Sequence, residues 1–272
     1  MNYRLAFFAA ALASATYVGG QGHALRFTKD HQAVLIPDCP ALEITGDITV
    51  EAWIRPEENV QGAEFKFIIS KNYGGKGYAL VMVGKGGEER IQFEASELLA
   101  YGAQQGYDEK AFRNTWLHVA GVVENGRQRL YINGLLVKEN PKPAILKAGT
   151  MPLQIGGSPW NSFRGCIDEV RIWNVARTQE QINHDKNHYL TGREPGLVVY
   201  LTFDEGGGRT VHNLTGKTPD GVLGYGWKGK PQFPALTEAA KASNRDLPQW
   251  VSGVLLTGER PHTIGHRPER RP

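Results

Sequence analysis

Cysteine is nearly absent from the chain: two of its 272 residues, Cys39 and Cys166, can form at most one cross-link. The fold must therefore rest on a packed core rather than on a disulfide framework. Charge of one sign is also missing. The formal net charge is +3, and the stretch from Lys241 to Pro272, with six basic residues and three acids, accounts for all of it. Residues 1–240 are formally neutral, which speaks against a nucleic-acid surface, because phosphates are neutralised by clustered Lys and Arg. No apolar run approaches the roughly 20 residues of a membrane-spanning helix. Helical periodicity is almost lacking, and so is the Gly-x-Ser-x-Gly of a serine hydrolase.

What is present begins with a targeting signal. Arg4 precedes the apolar run Leu5–Ala13, and Ala13-Ser14-Ala15 is a small-x-small cleavage site. Residues 1–15 are expected to be a secretory signal, and 16–24 a short mature leader. The protein is then extracellular, where the even cysteine count suggests a Cys39–Cys166 disulfide, with two buried free thiols as the alternative. Thirty-three glycines and 15 prolines suit many short strands.

Strand signals follow one another from Leu25 onwards. Ile48–Arg55 alternates, with Ile48, Val50, Ala52 and Ile54 on one side. Trp116–Glu124, Arg127–Ile132 and Leu135–Lys138 are joined by Asn125-Gly126 and Asn133-Gly134. Asn-Gly between apolar runs marks a tight hairpin, so this stretch predicts a three-stranded meander. One helix is expected, from Gln179 to about Asn187, capped by Thr178 with Gln181 three residues on. Gly196–Phe203 is a last strong strand. The pattern predicts an all-β, antiparallel two-sheet sandwich over 25–233, with one short helix after the Arg164–Trp173 strand. Residues 234–272 read as a mostly disordered basic tail.

Four segments resemble the laminin-G-like, concanavalin A-like lectin/glucanase superfamily, in its pentraxin-like jelly-roll branch. They are LRFTKDHQAVLIPDCP leading into ITVEAWIRP (25–56), WLHVAGVVENGRQRLYINGLLV (116–137), FRGCIDEVRIWNVART (163–178) and GLVVYLTFDEGGG (196–208). The resemblance implies extracellular recognition, with glycan as the expected ligand and Ca²⁺ as a possible cofactor, and it places the opening strands beside Arg164–Trp173. A cell-surface protein is the alternative partner. The superfamily's glucanases carry Glu-x-Asp-x-x-Glu on one strand; this chain has no such motif, so no catalytic residue is assigned. A hydrolase or lyase on the same fold is the alternative.

Asp168 is the most informative single residue. In phase with Val170 and Ile172 it points inward, where a carboxylate needs a hydrogen bond, a partner or a cation. One reading makes it a Ca²⁺ ligand together with Asp30; the other makes it a brace bonded to loop amides. Tyr73, Tyr101, Tyr107, Trp160 and Asn161 form a candidate ligand-binding set, because sugars stack on aromatic faces. Asn213-Leu214-Thr215 is an N-glycosylation sequon that applies in a eukaryotic source. His184 and His188 stand four apart on the expected helix. Two imidazoles at that spacing can hold a metal, but without the Glu of a metalloprotease motif they read as a helix surface.

Overall fold

A computed structural model describes residues 22–58, 65–71, 75–85, 88–95, 103–107, 112–140, 143–157, 162–225 and 247–254. The expected signal, the leader up to residue 21, and most of the tail lie outside them. In chain order the strands are β1 (His23–Phe27), β2 (Gln32–Ile36), β3 (Ile48–Pro56), β4 (Phe65–Ser70), β5 (Ala79–Lys85), β6 (Glu88–Glu94), β7 (Ala103–Tyr107), β8 (Leu117–Glu124), β9 (Arg127–Ile132), β10 (Leu135–Asn140), β11 (Leu153–Ile155) and β12 (Gly165–Trp173). After them come helix α1 (Gln179–Asp185) and strands β13 (Leu197–Leu201), β14 (Thr210–Val211), β15 (Gly221–Tyr225) and β16 (Gln249–Ser252).

These strands make two antiparallel sheets. The first runs β10-β9-β8-β3-β12-β1-β16, with β13 also paired to β12; the second runs β14-β15-β2-β11-β4-β5-β6-β7. The expected sandwich is therefore found. Both hairpin turns form as expected, with Asn125, Gly126, Asn133 and Gly134 all at positive φ. Thr178 caps α1 in a reciprocal capping box with Gln181.

Side-chain alternation builds the core. Ile48, Val50, Ala52 and Ile54 of β3 face Val34, Ile69, Leu80, Ile91 and Phe93 of the second sheet in one apolar cluster. Each such side chain contributes about 1.5–3 kcal/mol over exposure. The layers meet closely at Gly121, where an added Cβ would lie 2.1 Å from the Phe93 ring. The outer face of the first sheet is covered too. Ala120, Val122 and Tyr131 pack on Ile182 of α1, and Trp173 packs with Leu190, Leu197 and Tyr200.

β12 forks. It pairs with β3 along its length, but on its other side it meets β1 through Gly165–Ile167 and β13 through Val170–Trp173. The register slips between Asp168 and Arg171, and Glu169 takes a φ of 51°. That bulge reverses the side-chain phase. Ile167, Val170 and Ile172 all enter the core, while Cys166, Asp168, Arg171 and Trp173 project from the outer face. The expected inward Asp168 is thus corrected. Plain alternation assumes two residues per repeat, and a bulge inserts one more. Asp168 is buried nonetheless, under the segment that carries β16.

Asp168 Oδ1 accepts the amide of Glu169 at 2.8 Å, and Oδ2 accepts the amide of Val254 at 2.8 Å. A Cβ on Gly253 would come within 2.4 Å of Oδ2, so only glycine lets the backbone approach. Residues 249–252 of the expected disordered tail are accordingly a strand, paired with β1.

The Cys39–Cys166 disulfide is also corrected: both thiols are free. Cys166 lies on the outer face of the first sheet, 3.2 Å from the Arg55 guanidinium, and burial pushes its thiol up to about 12. Cys39 opens the 3-10 turn Pro40–Leu42 after β2 of the other sheet and packs against the core. The core layer between the two sheets separates them.

Two outcomes are expected. Alkylation of the unfolded, unreduced protein gives two modified thiols, and a mass two hydrogens lighter with none modified contradicts the free pair. Asp168→Ala lowers unfolding free energy by about 1–3 kcal/mol, because two buried amides lose their acceptor. Denaturant curves coincident with wild type would refute the brace.

Candidate functional site

The buried charges of the first sheet form one network under α1 and the loop that follows it. Arg171 reaches Glu169 Oε2 at 2.8 Å and donates to the carbonyls of Asp185 and His188. Tyr200 donates to the same Glu169 oxygen at 2.8 Å. Trp173 Nε1 donates to Glu51 Oε1, and His118 Nε2 lies 3.4 Å from Glu51 Oε2. Burial opposes ionisation of Glu51, but His118, Arg171 and the Trp173 N–H outweigh it and hold the carboxyl below its usual range. Burial pushes Asp168 well above the carboxylate range. The neighbouring Glu169 and Asp204 add to this, against the two amides. Most of the polar atoms here serve one another, with Arg171 Nε and His118 Nδ1 left without a partner among the described residues, and the network braces α1 and the loop after it on the sheet.

Calcium does not fit the expected pair. Asp30 is exposed and bonded to Arg164 at 3.0 Å, in the turn after β1, whereas both oxygens of Asp168 accept backbone amides near the other end of that strand. Among the described residues no group of three or more His, Cys, Asp or Glu is placed to hold an ion. Asn213 is likewise committed. Its buried amide donates to Val198 O, Thr215 Oγ1 and Thr218 Oγ1, and its oxygen accepts from Tyr200 N. Attaching a glycan there would break this set, so the sequon is a structural one. Tyr73, Tyr101, Trp160 and Asn161 lie outside the described residues. Tyr107 ends β7 opposite Glu89, and only its backbone is described.

The outer face of the second sheet has a different character. In one row across five strands stand Leu35, Gln154, Ser70, Ala79 and Glu94. At ~4.8 Å per strand the row is about 19 Å long. The next rows hold Phe67, Val81 and Gln92, then Phe65, Val83 and Arg90. The Phe65 and Phe67 rings lie 25° from parallel, with centroids 6.4 Å apart. The Leu35–Glu94 row is buried throughout, and burial eases towards Phe65 and Arg90, which are half-buried.

Glu94 is the singular group of this face. Oε1 accepts from Gln92 Nε2 at 2.8 Å, while the buried Oε2 has no partner among the described residues. Burial pushes its carboxyl up to about 8, against the pull of Gln92. It therefore carries its proton at neutral pH and both donates and accepts, as an amide does. Sequence reasoning missed it, because Arg90, Gln92 and Glu94 alternating with Ile91 and Phe93 look like the solvated side of an ordinary strand.

The profile of the concanavalin A-like lectin/glucanase superfamily, in its laminin-G form, matches residues 28–183. The chain belongs to that superfamily. Among individual proteins, mouse (Mus musculus) pappalysin-1 is 31% identical over 96 residues, and human pappalysin-1 is 29% identical over 96 residues. In each case the match covers 33% of this chain and 6% of the relative, so the chain corresponds to a small part of those proteins. A crystal structure from Bacteroides ovatus, described as that of a candidate carbohydrate-binding protein, superposes with a TM-score of 0.57 at 21% identity. The superposition covers 74% of this chain and 58% of the other, and it shows a shared sandwich fold.

The superfamily fold thus presents a protonated Glu94, and that has a pH signature. Its folded-state value lies above the unfolded one, so the contribution is fully present below about pH 4.5 and is lost as pH rises to about 8. Wild type is expected to lose stability relative to Glu94→Gln across that window, by about 1.4 kcal/mol per pH unit at most. Parallel stability–pH curves for the two proteins would show that Glu94 ionises normally.

Proposed function

We propose that the chain is a secreted, non-catalytic recognition module that binds a glycan across the outer face of the second sheet. The observation that carries this reading is the row ending in Glu94, whose buried oxygen has no partner, set beside the Phe65–Phe67 ring pair. Sugars present hydroxyls that donate and accept, and C–H faces that pack on aromatic rings. The neutral Glu94 carboxyl, with its unpartnered oxygen, answers the first need, and the two phenylalanines answer the second. The expected signal Leu5–Ala13 with Ala13-Ser14-Ala15 supports export. The superfamily match and the carbohydrate-binding description of the Bacteroides structure support the ligand class.

Two readings compete. Glycoside hydrolysis has one feature in its favour, since a carboxyl that stays protonated at neutral pH is what a general acid requires. The chemistry needs a second carboxyl about 5–9.5 Å away, and the five-strand row holds only Glu94. A cell-surface protein is the other candidate partner, and a large apolar strip would serve it equally well.

A glycan array of the secreted protein, run with and without EDTA, tests the proposal. A defined subset of glycans is expected to bind, with EDTA making no difference. Glu94→Ala is expected to weaken binding about tenfold, Glu94→Gln less, and Phe65→Ala to a similar degree. Binding indifferent to all three variants would move the site elsewhere. Release of reducing ends, abolished by Glu94→Gln, would make the protein a hydrolase.

A further inference from the structure

On the outer face of the first sheet, one imidazole is sealed in beside the end of α1. His118 and Glu51 are each 1% exposed, and His118 Nε2 lies 3.4 Å from Glu51 Oε2. A carboxylate only accepts, so the neutral ring carries its hydrogen on Nε2 and its lone pair on Nδ1. That Nδ1 is buried and has no partner among the described residues. The charged groups facing the ring are Glu51 from β3, Arg171 from β12 and Lys186 from the turn after α1. Trp53 of β3 meets it edge-on, and Asn133 Oδ1 accepts the His118 backbone amide.

The same neighbours hold the end of α1 down. Arg171 donates to the carbonyls of Asp185 and His188 at 2.6 and 2.8 Å, and Trp53 Nε1 donates to that of Lys186 at 2.8 Å. The residues that surround the ring are therefore those that tie the helix end and the following loop to the sheet. A change of charge on His118 is felt first at those ties.

We infer that His118 is an acid-sensitive latch: proton uptake by its ring releases the end of α1 and the loop after it from the first sheet. An imidazolium here puts a second N–H, at Nδ1, into a buried place with no acceptor and beside two cations. Glu51 alone faces it with opposite charge, and that carboxylate is already shared with Trp173 Nε1. Burial, with help from Arg171 and Lys186, accordingly pushes His118 below the ordinary histidine value against the pull of Glu51. The open form, in which Nδ1 reaches water, takes up the proton more readily than the closed form. The latch is therefore fully closed above about pH 6.5 and weakens as pH falls below that, by about tenfold per pH unit at most.

The test is amide hydrogen exchange of the full chain at about pH 7.5 and about pH 5, corrected for the intrinsic pH dependence of exchange. The hydrogen-bonded amides of Ile182, Lys186, His188 and Leu190 report on the latch. They are expected to lose protection about tenfold on acidification, while the amides of β3 and β8 keep theirs. His118→Gln is expected to remove most of that response. Lys186→Gln should reduce it, because the closed form then tolerates a charged ring better. If His118→Gln does not fold, imidazole resonances of the wild type decide: a His118 ring that titrates at or above about pH 6.5 would overturn the inference. So would unchanged protection at the four reporter amides, an equal loss across β3 and β8, or a full acid response in folded His118→Gln.

Discussion

The Glu169–Arg171 ion pair at the fork of β12 is the constraint on which the rest of the molecule depends. Both side chains are almost fully buried, at 2% and 1% exposure. Taking two charges out of water costs several kcal/mol each, and a bare pair seldom recovers that. Here most of the remaining polar atoms are used, although Arg171 Nε has no partner among the described residues. Arg171 makes two further bonds to carbonyls, and Glu169 accepts the Tyr200 hydroxyl. Tyr200 lies on β13, and the two carbonyls lie at the end of α1 and just beyond it. One guanidinium therefore ties the strand, the helix and the crossover to the sheet. Removing either member leaves the other buried and unmatched, the costly case for such pairs.

This arrangement makes the two outer faces unequal. On the first sheet most donors and acceptors are used internally, beneath α1 and the chain that follows, with Arg171 Nε and His118 Nδ1 left over among the described residues. On the second sheet the row across five strands mixes Gln154, Ser70 and Glu94 with Leu35 and Ala79, and it ends in a carboxyl with one oxygen unsatisfied. A buried polar group without a partner costs free energy in the isolated protein. The strongest electrostatics in the molecule thus belong to stability, and the second sheet's outer face carries a weaker, neutral set.

Much of the fold was legible because local chemistry and global pattern agree. Asn-Gly requires positive φ, and both such pairs became hairpins. Thr178 and Gln181 could only cap a helix start. The β3 stretch alternates without interruption and faces the core as read. Legibility ended where one residue broke the period. The bulge at Asp168–Glu169 has no glycine to announce it, so simple alternation turned Asp168 inward. Its burial under Val254 and Gly253 depends on a segment 86 residues away that has little strand character. The cysteines failed as a pair for a related reason: strand neighbours in sequence logic can sit on opposite sides of a core. Glu94 was invisible because burial of an outward face is a tertiary fact.

The superfamily match ends at residue 183, inside α1, yet the bonds that satisfy the fork come from beyond it. Tyr200 serves Glu169, the His188 carbonyl serves Arg171, and Val254 serves Asp168. A fragment cut at the limit of the match would retain the buried Asp-Glu-x-Arg sequence without these three partners and without the Asp185 carbonyl that also serves Arg171. Residues 184–254 are therefore part of the folding unit and not an appendage to it. β16 makes the same point at the sheet's edge: it covers β1, which would otherwise present unpaired amides and carbonyls to any passing strand. The shared segment supplies the sandwich, and the chain beyond it closes that sandwich by satisfying polar groups that the sandwich alone leaves open.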